Sequence, residues 1–69
     1  MRLTVYSDYA LRMLMYLAVK QHGLATIAEI AASYDISENH LMKVAHQLGV
    51  AGYVETVRGR GYRLTFGNQ

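Results

Sequence analysis

Apolar residues in this chain recur with two different periods, and the place where one gives way to the other limits the folds open to it. From Thr26 to Gln47 they return every three or four residues, in two short runs separated by Tyr34-Asp35-Ile36, which is the signature of two amphipathic helices. From Tyr62 to Phe66 they alternate strictly with Arg63 and Thr65, the pattern of a half-buried strand. Between the two lies Arg58-Gly59-Arg60-Gly61, a basic glycine turn. A tight helix pair followed by a small hairpin is the arrangement these residues predict.

Local signals give approximate boundaries. A first helix is expected from Ser7 to about Gln21, with Ser7 as N-cap, Asp8 in the first turn and His22-Gly23 as the stop. The second opens at Thr26, where Thr26 and Glu29 have capping-box spacing, and buries Ile27, Ile30 and Ala31. Ser37 caps the third, whose buried stripe is Leu41, Val44, Ala45 and Leu48, and Gly49 and Gly52 bracket its end. Tyr53 to Val57 is the partner of the alternating strand, and Gly67-Asn68-Gln69 is expected to fray. The fold class that follows is mainly α with a small β-hairpin: a winged helix-turn-helix of three helices plus a two-stranded wing, in a single domain over residues 1–69.

With 69 residues the hydrophobic core is near the lower limit for independent folding. There is no cysteine to staple it, which also excludes disulfides and thiolate metal sites within these residues. Met13 to Val19 is apolar throughout. Such a helix is either a tightly buried central element or one whose second side is covered by a partner chain or a further segment. The run is too short to cross a membrane, and no export signal precedes it, so a cytoplasmic protein is expected.

The charge is unevenly placed. Residues 1–36 hold Arg2, Arg12 and Lys20 against Asp8, Glu29 and Asp35, which cancel. Residues 37–69 hold Lys43, Arg58, Arg60 and Arg63 against Glu38 and Glu55. A basic end on a neutral body suits an anionic partner.

The first turn of the third helix, Ser37, Glu38, Asn39 and His40, with Lys43 one turn on, occupies the place from which helix-turn-helix proteins read base edges. Asn39 suits adenine, Glu38 a cytosine amino group, and Lys43 a phosphate or guanine. A capped, solvated helix start is the plainer alternative. Arg58, Gly59 and Arg60 form a short turn able to place arginine against phosphate or in a minor groove, with Arg63 beside them. No catalytic residues, metal ligands or cofactor-binding motif are expected. His22, His40 and His46 lack the spacing that puts two ligands on one helix face, and Ser37, needed as a cap, is not available as a nucleophile.

These residues resemble a known family. Leu3-Thr4-Val5-Tyr6-Ser7-Asp8-Tyr9-Ala10-Leu11-Arg12, Ile27-Ala28-Glu29-Ile30-Ala31 and Ile36-Ser37-Glu38-Asn39-His40-Leu41-Met42-Lys43-Val44 look like the Rrf2 regulators, as do Gly52-Tyr53-Val54 and the wing turn. Asn39-His40-Leu41 with Lys43-Val44 is most similar to the nitric-oxide-sensing repressor branch. The resemblance implies a homodimeric transcription regulator on double-stranded DNA with a palindromic operator, residues 37–43 in the major groove and the wing arginines in the minor groove. It also implies a long dimerisation helix and a three-cysteine segment holding an iron–sulfur cluster, neither of which is among these residues. The wing is about two residues shorter than is usual in the family.

The expected function is therefore sequence-specific duplex binding by a truncated or minimal regulator, acting as a repressor and without enzymatic activity. The rival is a protein-interaction module that pairs through its apolar first helix with another subunit or a full-length relative.

Overall fold

The computed structural model describes residues 3–66. Helix α1 spans Leu3–Val19, a single 3-10 turn follows at Gln21–Gly23, and α2 (Ile27–Tyr34) and α3 (Glu38–Ala51) form the helix pair. Strands β1 (Val54–Val57) and β2 (Gly61–Leu64) close the chain as an antiparallel hairpin in the register Val54↔Leu64 to Val57↔Gly61. The winged helix-turn-helix expected from the two periods is the fold observed.

The helix pair is built by its caps. The Thr26 hydroxyl accepts from the Glu29 amide at 3.0 Å, and the Ser37 hydroxyl from the His40 amide at 3.5 Å. At the end of α2, Asp35 takes a left-handed conformation (φ 57°, ψ 50°), and Ile36 N–H closes back onto the Ala31 carbonyl at 2.9 Å. Gly52 ends α3 in the same way, with Tyr53 N–H reaching the Leu48 carbonyl at 2.9 Å. Gly49 lies inside α3, where its carbonyl accepts the closing bond from Gly52 N–H at 3.1 Å; the left-handed residue that stops the helix is Gly52.

The core is one cluster. Ala10, Met13 and Leu17 of α1 meet Ile27, Ile30 and Ala31 of α2, the expected stripe Leu41, Val44, Ala45 and Leu48 of α3, and Val54 of β1. These are the positions that helical periodicity selects.

Helix α1 departs from expectation at its start. It begins at Leu3, so Ser7 is an interior residue and Asp8 is not in the first turn. Tyr6, Tyr9, Ala10, Met13 and Leu17 all touch or form the core, and this stripe carries the helix back past the capping signal. Packing outweighs the serine's preference, which is worth only about 1 kcal/mol. Asp8 does pair with Arg12 one turn on, at 3.3 Å, as the four-residue spacing leads one to expect.

Nor is α1 a fully enclosed central helix. Leu11, Met15 and Val19, spaced by four residues, are 57%, 54% and 84% exposed. The two other helices and the hairpin cover one side of α1 and leave this stripe open.

Two further corrections are local. Glu29 does not complete a capping box: its carboxylate accepts from the Tyr16 hydroxyl at 2.7 Å and from the Lys20 ammonium. Strand β2 ends at Leu64, so Phe66 is outside the alternation, half exposed and edge-on to Tyr53 with ring centroids 6.0 Å apart. Thr65 ties this end down, its N–H donating to the Tyr53 carbonyl at 3.0 Å and its hydroxyl to the Gly52 carbonyl. The frayed end expected at residues 67–69 lies outside the described residues.

Candidate nucleic-acid interface

Burying Leu41, Val44, Ala45 and Leu48 on one side of α3 turns a second set of residues outward. Ser37, Glu38, Asn39, His40 and Lys43 are all exposed, as are Met42, His46 and Gln47. At 3.6 residues per turn, Asn39, Lys43 and His46 stand in line directly opposite the core stripe, while His40 is rotated to the flank. His46 therefore shares a face with Asn39 and Lys43. Histidine ligand spacing says nothing about that relationship; the signal that could find it is its three-residue interval from Lys43. Glu38, in the first turn, carries a carboxylate at the favourable end of the helix dipole.

The wing tip is a three-residue loop. Arg60 N–H donates to the Val57 carbonyl at 2.9 Å across Arg58-Gly59, and Gly59 has φ 77°, the positive value that a type II turn places at its third residue. Arg58, Gly59 and Arg60 are exposed on this loop. Arg63 is placed differently. It faces Glu55 across the hairpin, and its Nε donates to the Glu55 carboxylate at 2.5 Å.

The base of the hairpin is held by contacts that the alternating pattern does not reveal. Ala25 N–H donates to the Tyr62 carbonyl at 3.2 Å, and Tyr62 N–H to the Ala25 carbonyl at 2.8 Å. The segment just before the α2 cap thus pairs with β2 on the side opposite β1. Gly61 makes this approach possible: with φ 117°, a Cβ there would lie 2.2 Å from the Ala25 carbonyl oxygen.

Ion pairing sorts the charges. Asp8 holds Arg12, Glu29 holds Lys20 and Glu55 holds Arg63. Among the described residues, the cations left without an ion-pair partner are Lys43, Arg58 and Arg60, on α3 and the wing loop. Unpaired cations keep their full field for an external anion.

A second polar cluster joins α1 to α2. The Glu29 carboxyl is held below its ordinary range by hydrogen bonds from Lys20 and Tyr16, which outweigh its partial desolvation. The same bonds raise the Lys20 and Tyr16 groups. Tyr16 meets Tyr34 edge-on at 6.1 Å, and the Arg12 guanidinium lies 5.6 Å from the Tyr34 ring centroid. This cluster holds the helix pair against α1.

An open groove of about 370 Å³ runs between α3 and the hairpin, lined by His46, Gly49 and Val50 on one side and by Glu55, Thr56 and Tyr62 on the other. A larger depression of about 560 Å³, between the end of α1 and β2, contains Lys20 and Arg63, whose charges Glu29 and Glu55 already compensate. The smaller groove adjoins the outward face of α3 at His46.

No helix among the described residues is long and apolar enough to cross a membrane. The sequence has no cysteine, and among the described residues no three His, Asp or Glu side chains cluster as a metal would require.

This geometry has close relatives. Residues 3–67 match the Rrf2 family, described as iron-dependent transcriptional regulators. The chain is 54% identical over 68 residues to the HTH-type transcriptional regulator NsrR of Bacillus subtilis, covering 97% of this chain and 47% of that protein. It is 58% identical over 67 residues to NsrR of Bacillus licheniformis, covering 93% and 47%. Among solved structures, CymR (YrzC), the global cysteine regulator of B. subtilis, superposes with a TM-score of 0.82 at 29% identity, covering 93% of this chain and 51% of that one. The chain thus spans about half the length of these relatives. The iron of the family description has no ligand set within these residues. In helix pair, wing and sequence alike, however, the chain belongs to the Rrf2 family of transcriptional regulators.

Proposed function

We propose that this chain is a duplex-DNA-binding domain that regulates transcription, acting as a repressor by occupying a promoter. One observation carries the reading. The three cations without ion-pair partners among the described residues lie on the recognition-helix position and the wing loop, the two elements that a winged helix-turn-helix presents to DNA. The NsrR and CymR relatives are named as regulators, which supports the same conclusion.

In this mechanism Arg58 and Arg60 engage phosphate or the minor groove, with Gly59 allowing close backbone approach. Ser37 orders the first turn of α3, whose free amides face the phosphate chain. Glu38, Asn39 and His40 present hydrogen-bonding groups to base edges, and Lys43 takes a phosphate or guanine. Arg63, neutralised by Glu55, contributes less than the other cations. The exposed stripe Leu11, Met15 and Val19 supports association of the domain as a homodimer, with a palindromic operator as its target. The relatives are regulators of bacteria, which supports a cytoplasmic location for this chain. These residues offer no catalytic constellation, so no chemical step is assigned to them.

The test begins by selecting preferred duplexes from a random pool with this chain. Fluorescence anisotropy then compares a selected duplex with its scrambled form at low and physiological salt. Preference for the selected, two-fold-symmetric duplex with a steep salt dependence is expected. Equal, weak binding to both would overturn the reading.

A further inference from the structure

Met42 lies at the edge of the outward face of α3, beside the line formed by Asn39, Lys43 and His46. It is 51% exposed, with Asn39 three residues before it, Lys43 next to it and His46 four residues after it, all exposed. At three- and four-residue spacing, Asn39 and His46 are its surface neighbours; Lys43, one residue on, is turned about 100° around the helix. The core does not need Met42: the helix is anchored by Leu41, Val44, Ala45 and Leu48, all buried. A long, flexible apolar side chain thus stands exposed beside two polar ones, at the edge of the face that the proposed function turns toward base pairs.

Only one base-pair feature in the major groove is apolar, the C5-methyl group of thymine. A thioether chain has little to offer a phosphate or a hydrogen-bonding base edge, but it can cover a methyl group and adapt to its exact position. We infer that Met42 is a specificity-determining residue that reads a thymine methyl in the major groove, beside the base contact of Asn39. The inference rests on the DNA-binding reading above, and it adds an apolar recognition element to a face otherwise read through hydrogen bonds and charge.

The experiment uses the full chain and a duplex selected by it from a random pool. Each thymine is replaced in turn by deoxyuridine, which removes the methyl and leaves every hydrogen-bonding group in place. Affinities are measured by anisotropy for the unaltered chain, Met42→Ala and Met42→Gln, with circular dichroism confirming that the exposed-site variants fold. Burying one methyl corresponds to about fourfold in affinity. The unaltered chain should lose about that factor at one thymine per half-site, and Met42→Ala should bind the thymine duplex more weakly and no longer distinguish thymine from uracil there. Met42→Gln should lose the same discrimination although its length is kept.

Selective binding with no uracil-sensitive position would overturn the inference and leave the DNA-binding reading standing. So would undiminished uracil sensitivity in Met42→Ala, which would assign the methyl to another residue. A Met42→Ala variant altered only in self-association would make the side chain a protein contact instead. If no selective duplex emerges at all, the DNA-binding reading itself fails, and the inference with it.

Discussion

Tyr62 exchanges both of its backbone hydrogen bonds with Ala25, at 2.8 and 3.2 Å, so the wing is tied to the residue immediately before the Thr26 cap. The position of the hairpin is thereby coupled to the start of the helix pair. A two-stranded hairpin alone is marginal in water; here its second strand is paired on both sides.

Gly61 is the residue this arrangement depends on. Gly61→Ala introduces a Cβ that meets the Ala25 carbonyl at 2.2 Å, on a backbone with φ 117°. Loss of more than ~2 kcal/mol of stability is expected. Gly59→Ala is the control. Its φ is 77° but nothing lies within 4 Å of the new Cβ, so it should cost about 1 kcal/mol. Urea unfolding monitored by circular dichroism measures both, and equal costs would show that the Ala25 contact does not hold the wing.

The Tyr16–Lys20–Glu29 cluster predicts a pH window. The Glu29 carboxyl is depressed by its bonds from Lys20 and Tyr16, so its contribution is present above the unfolded value of about 4.3 and disappears as pH falls through the lower folded value. Lys20 and Tyr16 are raised mainly by their bonds to Glu29, so their contribution is present below about 10 and is lost as pH rises through the folded values. Glu29→Gln should remove much of the acid-side slope of stability while leaving the fold intact. Thermal midpoints of both proteins between pH 3 and 7 check this; parallel curves would count against the cluster.

These features also mark what was legible in the sequence. Caps at Thr26 and Ser37 and the buried stripe of α3 depend on neighbours within four residues, so the local pattern contains them. The same holds for the cations of the wing loop. The Ala25–Tyr62 pairing joins positions 37 apart, and Glu29 is diverted from its own helix end by Tyr16 of α1 and Lys20 just beyond it. Those choices are made by packing, for which spacing carries no signal. The early start of α1 is an intermediate case: its core stripe is periodic, but the capping serine at position 7 is the louder local signal. Histidine spacing addresses metal ligation and so does not single out His46, while its place beside Lys43 is a question of helix face.

Asp35 holds a left-handed conformation that costs a residue with a Cβ about 1 kcal/mol. Asp35→Gly should relieve most of this at the turn between α2 and α3. The offsetting loss of entropy on folding makes the expected net gain about 0.5 kcal/mol. Asp35→Val, branched at Cβ, should destabilise by more than 1 kcal/mol. Chemical denaturation of the three proteins checks the order Gly, Asp, Val; a stable valine variant would mean the turn can be closed another way.

The proposed interface predicts a division of labour between Arg60 and Asn39. Arg60, exposed on the wing loop and without an ion-pair partner among the described residues, should contribute to every duplex alike. Arg60→Ala is expected to weaken selected and scrambled DNA equally and to reduce the salt slope by about 1. Asn39, on the outward face of α3, should act mainly on the selected duplex: Asn39→Ala is expected to lose about 1–3 kcal/mol of discrimination with little change in salt slope. Glu55 adds an internal check. Glu55→Gln releases Arg63 from its 2.5 Å ion pair and should strengthen non-specific binding and steepen the salt slope, because a compensated cation becomes available. Salt-dependent anisotropy titrations of all three variants on both duplexes decide the matter. If Arg60→Ala and Asn39→Ala give the same loss on selected and scrambled DNA, the wing and α3 do not divide phosphate contact from base reading.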